Sequence, residues 1–376
     1  MSAPIVQGWC PGAHKPMMSG DGLVVRVRPV AAEISSEQAL GVATAAKEFG
    51  NGFIDLTNRA NLQIRGVSQD GYPKLMERLD TLGLLDKDPA IEPKRNIVLT
   101  PFYASDDLSD RLYQRMLTRL ADFPSFPGKF GFAIDCGSTR VLADVPADIR
   151  LECSASGLLI VRADGCASGI ETTEEMAIDA ALDMANWFMG TRPSAIRRMG
   201  KLLAEIALPE RFQGTEPAKK SDQSRPGVVE DGLAFAAPFG SLAASSLIDL
   251  VKGTNVSSVR VTPWHSLWLS DVSAPPVTDL ILDPLDPILR VHACAGMPFC
   301  PQATVETRKT ARQLSGRGPG RLHVSGCAKG CAYPHTAEMT LIGRDNSFDL
   351  VTNGAAWDDP RQTALRPEDI IEMDLT

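Results

Sequence analysis

The sequence predicts an α+β fold in which one arrangement of strands and helices occurs twice. Helical and strand patterns are mixed along the chain without the regular alternation that a doubly wound parallel sheet requires. Two stretches also share an order: an Asp-Gly strand that begins at Asp21 or Asp231, then a helix, then a strand that carries Thr57 or Thr262. We expect a protein duplicated in this way to place its functional site between the two halves.

The individual elements follow from periodicity and from residues that start and stop helices. Helices are predicted at 36–50, at 106–123 with Ser105 as the cap, and at 174–190 with a capping box of Thr172 and Glu175. Strands are predicted at 22–30 and 256–264, and at 56–66 after a turn. Residues 209–230 are polar, contain Pro, Gly and Lys, and have no apolar period, so they are predicted to form a surface linker.

Length and composition set limits on the class of protein. The chain has 376 residues and 44% hydrophobic residues, enough for two or three domains with a sizeable core. No apolar run approaches the ~20 residues that cross a bilayer, and no signal peptide is visible, so we expect a cytoplasmic protein with reduced thiols. The net charge of -8 argues against nucleic acid or an anionic membrane as the partner. An anionic ligand therefore needs a local basic pocket.

Four of the eight cysteines occur in two short stretches, HACAGMPFCP (292–301) and SGCAKGCAYP (325–334). Five residues separate Cys294 from Cys300, which fits zinc poorly, and three separate Cys327 from Cys331. Four thiolates surrounded by Gly and Ala suit a [4Fe–4S] cluster, because each iron takes one sulfur and small residues let the backbone approach. The remaining cysteines are scattered, and we predict that they are ordinary core residues: Cys10, Cys136, Cys153 and Cys166.

This cysteine pattern resembles the cluster motif of the sulfite and nitrite reductase superfamily. Further segments resemble superfamily strands in the same order: GLVVRVRP (22–29), LTNRANLQIRG (56–66), KRNIVLTPF (94–102) and FPGKFGFAID (126–135). The resemblance implies a pseudo-two-fold fold with paired ferredoxin-like half-domains and two α/β domains of the cluster type. The domains would then be 1–85 (first ferredoxin-like half), 86–208 (first α/β domain), 209–230 (linker), 231–285 (second ferredoxin-like half) and 286–376 (cluster-bearing α/β domain).

Within the superfamily, the opening segment 8–29 and the segment 128–137 most resemble the branch that acts in aerobic cobalamin synthesis. That resemblance implies an oxidoreductase that spends O2 and reducing equivalents to hydroxylate a metal-free tetrapyrrole, close to sirohydrochlorin, and to close a lactone. Two alternatives stay open. One is a sirohaem-dependent sulfite or nitrite reductase, and the other is a non-catalytic iron–sulfur protein that binds a tetrapyrrole.

The resemblance also implies roles for basic residues, because both kinds of ligand are polycarboxylates or small oxyanions. By motif match, three residues fall where the reductases bind their small oxyanion, and these are the candidate catalytic residues: Arg26, Arg95 and Lys129. Arg59 and Gln63 fall where the reductases hold tetrapyrrole side chains. Sulfite reductases often carry a second lysine two residues after the first, but Gly131 stands there, which favours the synthetic enzyme over a reductase.

Oxygen chemistry raises the question of a mononuclear non-haem iron, for which histidine and carboxylate ligands are usual. No pattern of that kind stands out among the histidines, which are predicted to be structural or polar pocket residues: His14, His265, His292, His323 and His335. The segment SGRGPGR (315–321) lacks the ending of a phosphate loop and is predicted to be a turn. Because no dinucleotide fingerprint is present, we expect electrons from a separate, NAD(P)H-linked protein.

Overall fold

The structure is a computed structural model that describes residues 10–272, 275–318 and 320–372. Gly8 and Trp9 of the opening segment lie outside the described residues. In chain order, the elements of the first half are β1 (Met17–Ser19), β2 (Gly22–Val27), β3 (Glu33–Ser35), α1 (Ser36–Phe49), β4 (Phe53–Leu56), β5 (Leu62–Val67), α2 (Gly71–Thr81), β6 (Ile97–Leu99), α3 (Leu108–Thr118), β7 (Phe132–Asp135), β8 (Ile149–Cys153), β9 (Leu159–Ala163), β10 (Ile170–Glu171), α4 (Ala177–Thr191) and α5 (Met199–Leu203).

The second half repeats this order. Its elements are β11 (Gly227–Val229), β12 (Gly232–Ala236), β13 (Ser241–Ala243), α6 (Ala244–Thr254), β14 (Ser258–Val261), β15 (Ser266–Ser270), β16 (Val291–Ala293), α7 (Thr307–Leu314), β17 (Leu322–Ser325), β18 (Ala337–Arg344), β19 (Ser347–Gly354), β20 (Gln362–Leu365) and α8 (Pro367–Glu372). No helix in the described ranges is long and apolar enough to span a membrane.

Two of the four sheets exchange a strand between the halves. One sheet has the order β1-β2-β5-β4-β13 and the other β11-β12-β15-β14-β3, so each half lends one short strand to the other. Ile34 of β3 pairs with Val259 of β14, and Leu242 of β13 pairs with Ile54 of β4. Helices α1 and α6 pack together in a core that both halves share. The two ferredoxin-like halves therefore form one interlocked unit.

The other two sheets have matching topologies. In β6-β7-β8-β9-β10 and in β16-β17-β18-β19-β20, two parallel pairings are followed by two antiparallel ones. A helix crosses from the first strand to the second in each sheet, α3 in one and α7 in the other. The α+β class and the internal duplication predicted from the sequence are confirmed.

Local backbone geometry repeats as well. The turn after β4 and the turn after β14 each contain a non-glycine residue in the left-handed region, Ala60 and His265. In each turn a threonine hydroxyl accepts a hydrogen bond from the amide two residues on, Arg59 to Thr57 and Trp264 to Thr262, both at 3.3 Å. The pair of threonines noticed in the sequence therefore occupies equivalent positions.

Two predicted helix caps are wrong. Helix α3 begins at Leu108 and is capped by Asp107, whose side chain accepts from the Asp110 amide, instead of by Ser105. Helix α4 begins at Ala177 without a side-chain cap, so Thr172 and Glu175 form no capping box. In both cases several cap-type residues precede the helix, and tertiary packing selects the turn at which it begins.

The connection between the halves is also more ordered than predicted. Within residues 209–230, Phe212 and Ala218 are buried, and Thr215 and Pro217 form bridges with the first half. The segment therefore packs on the β8–β10 sheet before β11 begins. We keep the domain boundaries proposed from the sequence, with the amendment that β3 and β13 are exchanged.

Candidate functional site

The four cysteines of the motif converge at one edge of a sheet. Strands β16 and β17 are adjacent and parallel, so their carboxyl ends meet at the same edge. Cys294 directly follows β16, and Cys327 comes two residues after β17. The pKa of the Cys331 thiol is raised to about 11, mainly by burial; Lys329 lowers it, and Cys294, Cys327 and Cys300 raise it. The Gly326 amide, next to Cys327, donates to Cys294 Sγ at 3.1 Å, so the two cysteine stretches are in contact.

The backbone around these thiols fits an iron–sulfur cluster. The Gly326 amide donates to Cys294 Sγ at 3.1 Å, as amides do to cluster sulfur. Gly296 has a φ of 66°, and a Cβ there would lie 2.3 Å from Thr307 Oγ1, so only glycine fits this turn. Thr307 Oγ1 in turn donates to the Cys294 carbonyl at 2.6 Å. The ligand loop is thus held by the start of α7.

A site for a single metal ion would need at least three ligand side chains around one point. Among residues 10–272, 275–318 and 320–372, no group of three or more His, Cys, Asp or Glu side chains is arranged around one metal ion. A four-iron cluster would bind each thiolate through a separate iron, so it does not require the four thiols to surround one ion. No ligand set for a second, mononuclear iron is thus present among the described side chains.

The cluster loop docks on the first half of the chain. The Phe299 carbonyl accepts hydrogen bonds from the Gly20 amide at 3.1 Å and from Arg65 Nη2 at 3.3 Å. Behind this contact Asp55 binds Arg65 and Arg308, at 3.0 and 3.1 Å. Burial pushes the pKa of Asp55 upward, but Arg308 and Arg65 outweigh it and hold the pKa below its usual value. This ionised carboxylate fixes the cluster domain against the first ferredoxin-like half.

Arg26 and Gln63 form one pair, as the register of two strands requires. They lie opposite each other on β2 and β5, and Arg26 Nη2 donates to Gln63 Oε1 at 2.7 Å. Burial, followed by the positive charge of Arg28, lowers the pKa of Arg26 to about 10, while the Cys10 thiol, which hydrogen-bonds Arg26, opposes this. The guanidinium is thus charged at neutral pH and has no carboxylate partner among the described residues.

Arg59 joins this group from the turn after β4. Its Nη2 donates to the Lys129 carbonyl at 2.6 Å, which links the first ferredoxin-like half to the first α/β domain. Burial lowers the pKa of Arg59 to about 10, and the next largest cause is the positive charge of Arg198. The Lys129 side chain is exposed beside this contact and forms no ion pair within the described ranges. The structure therefore brings three of the predicted cations, Arg26, Arg59 and Lys129, to one region.

Arg95 departs from its predicted place in this group. Its Nε and Nη2 atoms bind the two oxygens of Asp86, each at 2.9 Å, and the residue is only 8% exposed. Its charge is already compensated inside the first half, where it holds the segment before β6. We leave Arg95 out of the proposed site and regard it as structural.

Two further arginines, not singled out in the sequence, border the group. Arg28 is buried and paired with Glu92 at 3.2 Å. Arg198 binds Asp148, which also accepts from the Gly131 amide, two residues after the Lys129 that Arg59 contacts. The alternation in RVR could have pointed to Arg28, because residues two apart on a strand face the same way. Nothing in the sequence connects Arg198 with Arg59, because 138 intervening residues separate them.

The histidines lie mainly near the cluster domain. His292 stacks on Tyr333 with ring centroids 4.4 Å apart, and burial lowers the pKa of His323 to about 4, so that ring is neutral. Cys136 Sγ donates to the Leu151 carbonyl at 3.8 Å, and Cys153 is buried at the end of β8. The segment 315–321 follows α7 as a turn at 315–316, and its Pro319 lies outside the described residues.

Comparison with known proteins gives this geometry a family. The family described as nitrite/sulfite reductase ferredoxin-like half domain matches residues 15–82. A precorrin-3B synthase from Sinorhizobium sp. is 31% identical, over 94% of this chain and 84% of that protein. The chain belongs to the precorrin-3B synthase family. This family lies within the sulfite and nitrite reductase superfamily, and its membership makes the chain an oxidoreductase.

More distant relatives agree with that placement. A ferredoxin–nitrite reductase from Synechococcus elongatus is 25% identical over 85% of this chain and 76% of that protein. The solved structure of the Mycobacterium tuberculosis NirA protein has a TM-score of 0.68 at 18% identity, and covers 93% of this chain and 79% of that chain. The family therefore shares the reductase fold that the sequence motifs predict.

Proposed function

We propose that this chain is a precorrin-3B synthase: an O2-dependent monooxygenase that hydroxylates precorrin-3A and forms a lactone in aerobic cobalamin synthesis. The observation that carries the proposal is the pairing of two features around one interface. The loop of the cluster cysteines docks on the first ferredoxin-like half through Phe299, and that same half carries the uncompensated charges of Arg26 and Arg59. A redox centre and a polyanion site then lie side by side.

The cofactor of the proposal is a [4Fe–4S] cluster held by Cys294, Cys300, Cys327 and Cys331. When bound, such a cluster would supply one-electron transfer. The chain's own part is to keep the thiolates together and to shield them. The Gly326 amide is already placed to donate to the Cys294 sulfur, and Thr307 ties the same loop to α7.

The substrate of the proposal is a metal-free tetrapyrrole polycarboxylate. Arg59 and Gln63 would hold its peripheral carboxylates, because a guanidinium and an amide supply directed donors for carboxylate oxygens. Arg26 and Lys129 would face the reacting part of the ring. Together these cations would attract the substrate and hold it in one orientation.

The stoichiometry of the proposed reaction requires an electron donor. One oxygen atom of O2 enters the macrocycle and the other leaves as water, so each turnover consumes an electron pair and protons. The sequence has no dinucleotide fingerprint, and the proposal therefore includes a separate electron-donor protein linked to NAD(P)H.

A sirohaem-dependent nitrite or sulfite reductase is the second candidate, because several relatives are nitrite reductases. The surroundings of Gly131 favour the synthase over this candidate. A Cβ at this position would lie 2.5 Å from Asn96 Nδ2 and 2.7 Å from the Asn96 carbonyl oxygen. The backbone is too close to Asn96 for the second lysine that sulfite reductases often carry here.

The deciding experiment is the visible spectrum of the anaerobically purified protein, followed by incubation with precorrin-3A, O2 and a reductant. We expect broad iron–sulfur absorption without a haem band, and formation of the hydroxylated lactone by mass spectrometry. An intense Soret band would select the reductase. Tight tetrapyrrole binding without turnover would leave a carrier.

The cluster assignment has its own test. Serine in place of Cys294, Cys300 or Cys327 should remove iron–sulfur absorption and lower the melting temperature, because ligation energy is also folding energy. Cys166→Ser is the control, since Cys166 lies in the first half and outside the motif. Iron and sulfide contents equal to those of the wild type in the first three variants would show that the ligands are wrong.

A further inference from the structure

One buried carboxylate, Asp148, ties together three segments that border the basic group. Its Oδ2 accepts from the Gly131 amide at 3.0 Å, two residues after Lys129. Its Oδ1 accepts from the Met199 amide at 2.7 Å and from Arg198 Nε at 2.9 Å. The side chain of Asp148 is completely buried, at 0% exposed. Its position just before β8 thus fixes both the Lys129 segment and the start of α5.

Arg198 is held firmly but is not enclosed. Besides the bond to Asp148, its Nη2 donates to the Ala147 carbonyl at 2.7 Å, and 29% of its side chain stays exposed. Among the neighbouring charges, Arg198 has the largest effect on the pKa of Arg59, which it lowers. Asp148 offsets part of this repulsion, because its carboxylate binds Arg198 and also raises the pKa of Arg59. The exposed part of the Arg198 side chain remains accessible to a second anion.

We propose that Arg198 is a further carboxylate-binding residue of the tetrapyrrole site, and that Asp148 is the positioning residue that holds Arg198 and the Lys129 segment in register. The proposal rests on the proposed function, because it takes the substrate to be a polycarboxylate. A tetrapyrrole with several peripheral carboxylates would place one of them between Arg59 and Arg198. Its charge would relieve the repulsion that the free protein contains.

The first test measures affinity. Sirohydrochlorin serves as the probe and is titrated by fluorescence into the protein with its cluster content checked. Arg198→Gln should bind about ten- to a hundred-fold more weakly, as expected for loss of one charge-assisted contact, with a shallower dependence on salt. Arg192→Gln is the matched control, because Arg192 lies in the same connection but away from the basic group. Its Nη1 donates to the carbonyls of Pro193, Ser194 and Ile196, and its guanidinium lies over the Phe188 ring.

The role of Asp148 is tested by measuring the affinity for sirohydrochlorin and the single-turnover rate separately. Asp148→Asn keeps the shape but loses the charge that orients Arg198. We expect a smaller loss of affinity than in Arg198→Gln, together with a slower single turnover, because the Lys129 segment loses its anchor. Equal affinity and equal rate for Asp148→Asn and wild type would overturn the positioning role.

The second test needs no variant, so it holds even if Arg198→Gln fails to fold. Wild-type protein is treated with phenylglyoxal with and without sirohydrochlorin, and arginine modification is mapped by mass spectrometry. We expect protection of Arg59 and Arg198 and none of Arg192. Protection of Arg59 without Arg198, or wild-type affinity in Arg198→Gln, would overturn the inference and leave the proposed function standing. Failure of the wild type to bind sirohydrochlorin would overturn both.

Discussion

Gly131 shows at the residue scale how close packing restricts the chemistry of the site. Its backbone approaches Asn96 so closely that a Cβ would lie 2.5 Å from the Asn96 side-chain nitrogen. Asn96 cannot easily retreat, because its Nδ2 donates to the Phe130 carbonyl at 2.6 Å. We expect Gly131→Ala to lower the free energy of unfolding by about 1–3 kcal/mol, as overpacking does, measured by denaturant titration.

Gly190 provides the control for this prediction. It lies in helix α4, and a Cβ there would meet nothing within 4 Å. Gly190→Ala should therefore leave stability unchanged or raise it by up to about 1 kcal/mol, because alanine is the better helix former. Equal effects of the two substitutions would show that the contact with Asn96 is not tight.

Arg59 illustrates the cost of a site built before its ligand arrives. Burial lowers the pKa of Arg59 to about 10, so the folded protein bears an unfavourable charge at every pH below about 10, and this cost shrinks as the pH rises above that value. Arg59→Met should raise the melting temperature of the ligand-free protein, because its free energy of unfolding should rise by about 1 kcal/mol. The same substitution should weaken sirohydrochlorin binding at least ten-fold.

In Arg59→Met we expect the melting temperature to rise and the affinity for sirohydrochlorin to fall. Lys74→Met is the control, because it removes a charge from helix α2, outside the basic group. A variant of Arg59 that melts lower and binds as wild type would mean that Arg59 is a structural link to Lys129 only.

At the level of single elements, the start of α3 shows which of two candidate cap residues, Ser105 or Asp107, the folded protein uses. Asp107 caps the helix through the Asp110 amide, and its other oxygen accepts from the Ala104 amide, both at 2.8 Å. Asp107→Ala should cost about 1 kcal/mol of stability, as loss of a cap does, whereas Ser105→Ala should cost nearly nothing. Thermal unfolding of both variants checks this, and the reverse order would restore the sequence prediction.

At the scale of the whole molecule, strand exchange makes the two halves interdependent. Strand β3 completes the sheet of the second half and β13 completes that of the first, so neither half alone has all its strands. A protease site inserted at the exposed residues 222–223 should allow a cut that leaves two fragments bound together. Size-exclusion chromatography before and after denaturation measures this, and separation without denaturant would contradict the exchange.

The duplication produces one open basic site instead of two. Trp264 stands where Arg59 stands in the other half, and Trp268 stands where Gln63 does. Phe102 packs against both tryptophans, with ring centroids 6.0 and 5.8 Å away. Aromatic side chains therefore fill the pseudo-symmetric position, and among the described residues the charged version lies in the first half.

Local sequence signals predicted the class of fold and the repeat, both of which the structure confirms, and they predicted the four cluster ligands. These depend on signals that lie close together in the chain: periodicity, an Asp-Gly start repeated at Asp21 and Asp231, and two cysteine pairs with a characteristic spacing. The motif matches also predicted that Arg26, Arg59 and Lys129 share one site, since the fold of a family fixes where its strands end.

The tertiary structure alone decided which charges are compensated. Arg95 and Arg59 both come from motif segments, but Asp86 neutralises Arg95, whereas Arg59 faces Arg198. The exchange of β3 and β13 was likewise invisible, because short strands pair with whichever edge the fold presents. Contacts between residues far apart in the chain set burial and charge pairing, and these physical terms decide whether an arginine is structural or free to bind a ligand.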